Sequence, residues 1–266
     1  MLLLLFPGFL YLAILTWLFF TQTDTIFPSD RVGPVPAPPG AERLILTAAS
    51  GDRLEGVHIP PSRASEAPVL LLGFGGNGGS ATTMAGLLHD IYPSANIVVF
   101  HYRGYAPSGG SPSASALRED AALIFDAMHA RFRPARTVAI GFSIGSGVAS
   151  ALAGTRALDG LILVTPFDSL TEVVAGHYPW APVRLLLRHR LDSARYLQGR
   201  ALPVAIVAAE NDRLVVPART AALRRALSNP VCDRTIAAAD HDDIYGRPEF
   251  APAMVECLER MVLAHP

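Results

Sequence analysis

A serine hydroxyl is a weak nucleophile at neutral pH unless a neighbouring base removes its proton. Ser143 stands in Gly141-Phe142-Ser143-Ile144-Gly145, a G-x-S-x-G. Glycines on both sides let the chain turn sharply from a strand into a helix, which lifts the serine side chain clear of the backbone. The pentapeptide by itself is a weak signal, because a glycine-rich packing turn has the same spelling. Its placement strengthens it. The apolar run 137–141 precedes it, and the helical stretch IGSGVASALAG follows.

A base and an acid are available at equivalent places. His241, in Asp240-His241-Asp242-Asp243, follows the apolar run 234–239, and Asp212, in Glu210-Asn211-Asp212, follows the run 203–209. In such a set His241 takes the proton from Ser143 and returns it to the leaving group, while Asp212 orients the imidazole and stabilises its charged form. His101, at the end of the run 96–101, is the rival base; Glu210 and Asp168 are the rival acids. The remaining histidines, at 58, 89, 129, 177, 189 and 265, read as packing or surface residues.

The loop Gly73-Phe74-Gly75-Gly76-Asn77-Gly78-Gly79 contains a literal G-x-G-x-x-G. A dinucleotide site needs an acidic residue about 20 positions on, at the end of the next strand. That strand ends instead in His101-Tyr102-Arg103, which leaves Arg103 and a 2′-phosphate as an NADP alternative. The preferred reading is an oxyanion hole, formed by the backbone N–H of Ile144 with that of Phe74 or Asn77. No cofactor is expected, and no Cys/His spacing suggests a metal.

Apolar runs at 67–74, 96–101, 137–141, 160–164, 203–209 and 234–239 alternate with helical patterns at 80–91, 114–131, 144–156, 216–227 and 249–264. Continuous apolar strands separated by helices predict an α/β fold whose parallel sheet is covered on both faces. Two earlier runs, 43–49 and 53–60, flank the turn Ser50-Gly51-Asp52 and predict a hairpin that makes the sheet mixed. Functional groups in such a sheet gather at the carboxyl ends of the strands, where Ser143, Asp212 and His241 all fall.

Residues 1–20 carry no charge and would be about 30 Å long as a helix, the thickness of a bilayer's hydrocarbon core. A cleaved signal peptide wants a basic start, a shorter apolar stretch and a small-x-small site, none of which is present, so an uncleaved single-pass anchor is expected. Neither flank carries a basic excess, so sidedness stays open. Residues 21–41 are rich in proline and read as a semi-rigid linker. A single domain is expected over 42–266. The chain has 266 residues and a net charge of −1, and all 22 basic residues are arginine. No basic run exists to meet nucleic acid. Cys232 and Cys257 are too few for a disulfide scaffold; pairing and two buried thiols are both open. The oligomeric state is not legible.

Together these residues resemble the α/β-hydrolase superfamily, in which the triad follows the chain order serine, acid, histidine. The similarity is strongest to its small membrane-anchored members described as serine aminopeptidase-like hydrolases. It covers about residues 42–264 and extends to the loops HYRGYAPSGGSPS (101–113) and AENDRLVVP (209–217), and to the cap-like TPFDSL (165–170) and HYPWAPVRLLL (177–187). The resemblance implies an eight-stranded sheet with a helical cap at about 166–200, no cofactor, and hydrolysis of an acyl bond through an acyl-enzyme. One departure is Gly75-Gly76, where the family often has a histidine-glycine pair. The loop HYRGY reads as structural, with Tyr102 and Arg103 bracing the region beneath the nucleophile. A small-molecule or lipid-like acyl substrate is expected beside the membrane. The alternative from another class is a non-catalytic binding domain of the same fold.

Overall fold

The computed structural model describes residues 2–33, 35–64 and 68–264, with side chains from residue 7 to residue 261. Met1, Pro34, Ser65, Glu66, Ala67, His265 and Pro266 lie outside the described residues. An eight-stranded sheet has the order β1-β2-β4-β3-β5-β6-β7-β8. Its strands are β1 (Glu42–Thr47), β2 (Arg53–Ile59), β3 (Leu70–Phe74), β4 (Asn96–Phe100), β5 (Thr137–Phe142), β6 (Gly160–Val164), β7 (Val204–Ala209) and β8 (Pro230–Ile236). The hairpin β1–β2 adds antiparallel to β4, and the remaining pairs are parallel. β3, β5, β6 and β7 are buried along their whole length, as strands with helices on both faces must be.

Helices α2 (Ala81–Ile91) and α9 (Phe250–Ala264) cover one face of the sheet; α3 (Ala114–Phe132) and α4 (Ile144–Ala153) cover the other. Local chemistry fixes where several begin. Ser80 Oγ accepts the Thr82 N–H at the start of α2, and Ser113 Oγ accepts the Ala116 N–H at the start of α3. Three short helices, α5 (Leu170–His177), α6 (Val183–Leu186) and α7 (Ser193–Leu197), form the cap between β6 and β7. α8 (Pro217–Ala226) follows β7 and opens on a proline, which lacks the N–H that a first turn leaves unused.

Several boundaries differ from the sequence expectation by one to three residues, and two shift further. The last strand starts at Pro230, four residues before the expected run, and ends at Ile236. It is an edge strand with only alternate residues inward, so a leading proline costs no ladder bond and the polar Asp233 and Arg234 are tolerated. The N-terminal helix α1 runs from Leu2 to Ile26, so the first six residues assigned to the linker are helical. They continue because the cap receives them, as described below. By length and composition α1 is the one helix among the described residues able to cross a membrane. Cys232 of β8 and Cys257 of α9 form a disulfide, which ties the edge strand to the helix behind it.

Candidate active site

The turn from β5 to α4 holds Ser143 at φ 50° and ψ −118°, a left-handed conformation that costs a residue with a side chain of the order of 1–3 kcal/mol. Both flanking glycines are required by space. A Cβ at Gly141 would stand 2.4 Å from the Gly145 carbonyl oxygen, and one at Gly145 would stand 2.0 Å from that of Phe74. The Ser143 N–H donates to the Val164 carbonyl (2.9 Å), and Ser146 Oγ donates to the Ser143 carbonyl (2.6 Å), so the strained turn is held from both sides.

From this elbow the hydroxyl of Ser143 meets Nε2 of His241 at 2.8 Å, and Nδ1 of His241 meets Oδ2 of Asp212 at 2.7 Å. A carboxylate only accepts, so Nδ1 carries the proton and Nε2 is free to accept from serine. The other oxygen of Asp212 accepts the backbone N–H groups of Leu214 (3.0 Å) and Val215 (2.7 Å). The His241 N–H donates to Asp240 Oδ1, which also accepts the Arg213 N–H. Ser143, Asp212 and His241 are 9%, 4% and 5% exposed, so the row sits in a low-dielectric setting where such bonds strengthen.

The rivals are engaged elsewhere. His101 Nε2 faces Thr82 Oγ1 at 3.4 Å, and burial pushes its pKa down. Glu210 accepts the Ala238 N–H at 2.8 Å. Asp168 pairs with Arg219 at 3.2 Å, and desolvation raises its carboxyl above the usual range. Arg103 is clamped on buried Asp120, with Nε 3.1 Å from Oδ2, and is not free to receive a 2′-phosphate. The NADP alternative therefore loses its phosphate partner, and the glycine-rich loop packs against the serine instead.

A Cβ at Gly76 would lie 3.7 Å from the Ser143 Cβ, so its backbone passes directly beside the nucleophile. Among the described residues, the N–H groups of Gly75, Gly76 and Asn77 donate to no acceptor. Of the positions named for the second donor, Phe74 closes β3 with its carbonyl against Gly145, and the Asn77 side chain donates to the Ile26 carbonyl at 3.0 Å. The Tyr102 hydroxyl donates to the Gly75 carbonyl at 2.8 Å and braces the loop from beneath.

Ser143 opens onto two cavities. One, about 450 Å³, is apolar and is lined by Ile144, Phe167, Leu170, Val174 and, from α1, Thr25 and Ile26. The other, about 600 Å³, is bordered by Gly76, Met84, His241, Asp242 and Tyr245. A larger cleft of about 680 Å³ between the cap and α8 contains none of the three triad-like residues. Among the described residues no cluster suits a metal ion.

No family model matches the chain. An uncharacterised protein of Mycobacterium tuberculosis (strain H37Rv) is 32% identical over 226 residues, which is 82% of this chain and 79% of that one. The lysophosphatidylserine lipase ABHD12 of Danio rerio is 29% identical over 143 residues, 45% of this chain and 36% of the lipase. Among solved structures, an alpha-beta serine hydrolase homologue from Coxiella burnetii superposes with a TM-score of 0.64 at 20% identity, over 85% of this chain and all of that one.

Proposed function

The chain belongs to the α/β-hydrolase superfamily, and we propose that it is a serine hydrolase that cleaves an acyl ester, thioester or amide while held at a membrane by α1. The observation that carries this is the unbroken row of two hydrogen bonds, 2.8 and 2.7 Å long, from a strained serine through an imidazole to a buried carboxylate.

In the first half-reaction Ser143 Oγ attacks the acyl carbonyl as its proton passes to His241 Nε2. The carbonyl oxygen becomes an oxyanion between the Ile144 N–H and an unpaired N–H of the loop 75–77, beside the positive end of α4. Collapse breaks the bond to the leaving group, which takes the proton from His241 and departs, leaving an acyl-serine. Water then repeats the sequence with His241 as base and frees the acid. Asp212, fixed by two backbone donors, holds the tautomer that makes both transfers possible.

Membrane attachment is supported by the outward face of α1, where Phe9, Leu12, Trp17 and Phe20 are exposed. The Cys232–Cys257 disulfide favours a globular domain on an oxidising side of that membrane. The lipase named among the relatives supports a lipid-like acyl substrate. A fluorophosphonate probe is expected to label the full chain at Ser143 and to leave Ser143→Ala unlabelled; a folded wild type that resists the probe would overturn the reading.

A further inference from the structure

α1 does more than tether. Its carboxyl-terminal half lies along the cap. Gln22 Nε2 donates to the Leu186 carbonyl (3.3 Å), Gln22 Oε1 accepts the Arg188 N–H (2.8 Å), and Thr23 Oγ1 meets His189 Nε2 at 2.9 Å. Further out, the Tyr11 hydroxyl donates to the Trp180 carbonyl at 3.0 Å. A helix tied to the cap along one side as far back as Tyr11 cannot enter a bilayer deeply without bringing the cap to the lipid. The cap surface agrees: Leu185 is 83% exposed, and the Arg188 guanidinium lies over the Phe19 ring of α1 at 5.0 Å, so apolar and basic groups meet at the same rim.

Between α1 and the cap runs a groove lined by Leu15, Leu18 and Phe19 on one side and Val183, Leu186 and Leu187 on the other, with no charged side chain along it. At its inner end Thr25, Ile26, Val174 and Tyr178 line both this groove and the apolar cavity at Ser143. The two therefore abut at these four residues, and the groove itself holds about 110 Å³. From Leu15 to Ile26 the helix rises about 16 Å, the length of roughly a dozen extended methylenes.

Building on the serine-hydrolase reading, we propose that the substrate is a single-chain lipid ester whose acyl chain slides from the surrounding leaflet along the α1–cap groove, so that α1 forms a wall of the acyl site. One apolar groove abuts the cavity at the serine, and its width suits a single chain. The polar part of the ester is left to the cavity bordered by Gly76 and His241.

The test uses the full chain in phosphatidylcholine vesicles with p-nitrophenyl esters from acetate to palmitate, and with 1-palmitoylglycerol. For the wild type, kcat/KM is expected to rise about threefold or more per added methylene and to level off once the groove is filled, at around a dozen carbons. Thr25→Trp at the junction and Ala181→Trp on the cap wall are each expected to lower the palmitate-to-acetate ratio of kcat/KM by about tenfold or more, the worth of two or more buried methylenes. 1-Palmitoylglycerol turnover should fall in parallel. Acetate turnover dependent on Ser143 with a flat chain-length profile, or a ratio unchanged in both tryptophan variants, would overturn the groove and leave the serine hydrolase standing. Absence of any ester turnover together with failure of fluorophosphonate labelling would overturn both. The wild-type profile needs no variant to fold.

Discussion

The carboxyl edge of the sheet and the joint between α1 and the cap lie against the same cavity and are built on opposite principles. At the sheet edge, the groups around Ser143 are held by polar bonds. Asp212 accepts three hydrogen bonds, Asp240 accepts two from backbone N–H groups, and Arg103, just after β4, is clamped on Asp120. At the joint, a few polar ties such as Gln22–Arg188 fix the register, and the rest is apolar surface, much of it uncovered. The first region holds Ser143, His241 and Asp212 in one hydrogen-bonded row. The second takes its definition from what surrounds it. A residue at the sheet edge should therefore fail abruptly when altered, and one at the joint should change preference or stability by degrees.

The sharpest break in this comparison is Asp212→Asn. It keeps the shape but presents an N–H or a weaker acceptor to His241 Nδ1, which favours the wrong tautomer. A fall in kcat of about 10⁴ with the melting temperature nearly unchanged is expected from ester turnover and calorimetry. A loss under tenfold would mean that the row is not the proton path. Next in size is Arg103→Ala, which strands the buried Asp120 carboxylate. A destabilisation of about 3–5 kcal/mol is expected in urea titrations, with much of it recovered when Asp120 is replaced by leucine and Arg103 by methionine together. Equal damage in the single and double variants would count against a charge effect.

The smallest effect belongs to the joint. Burial first, and the nearby Arg188 charge second, hold His189 below its ordinary value of 6.5. The unfolded chain therefore binds more protons than the folded one as pH falls below 6.5, so this residue's contribution is present above that pH and is lost on acidification. His101 acts with the same sign because it too is lowered by burial. The urea midpoint should drop between about pH 7.5 and about pH 5, and His189→Asn should remove part of that drop. An identical pH profile in the variant would exclude His189.

Much of the architecture was legible because its causes are local. Fully buried parallel strands must be apolar along their length, so β3 to β7 announce themselves, and the glycines at 141 and 145 are required wherever a strand turns this sharply into a helix. β8 was harder: it is an edge strand, its inward residues are only alternate ones, and its first residues carry proline and charge. The choice between Phe74 and Asn77 as a second oxyanion donor was out of reach, since how closely the glycine-rich loop passes Ser143 depends on tertiary packing.

The order of elements, the elbow at Ser143 and the chemical types at the strand ends follow from the chain alone, because backbone sterics and hydrophobic periodicity act over a few residues. That residues 98 and 29 positions apart close a single hydrogen-bonded row, that Cys232 reaches Cys257, and that an N-terminal helix comes to line the cavity at the serine depend on how distant surfaces fit together. Contacts of that range are set by packing of the whole sheet and cap, and no local pattern encodes them.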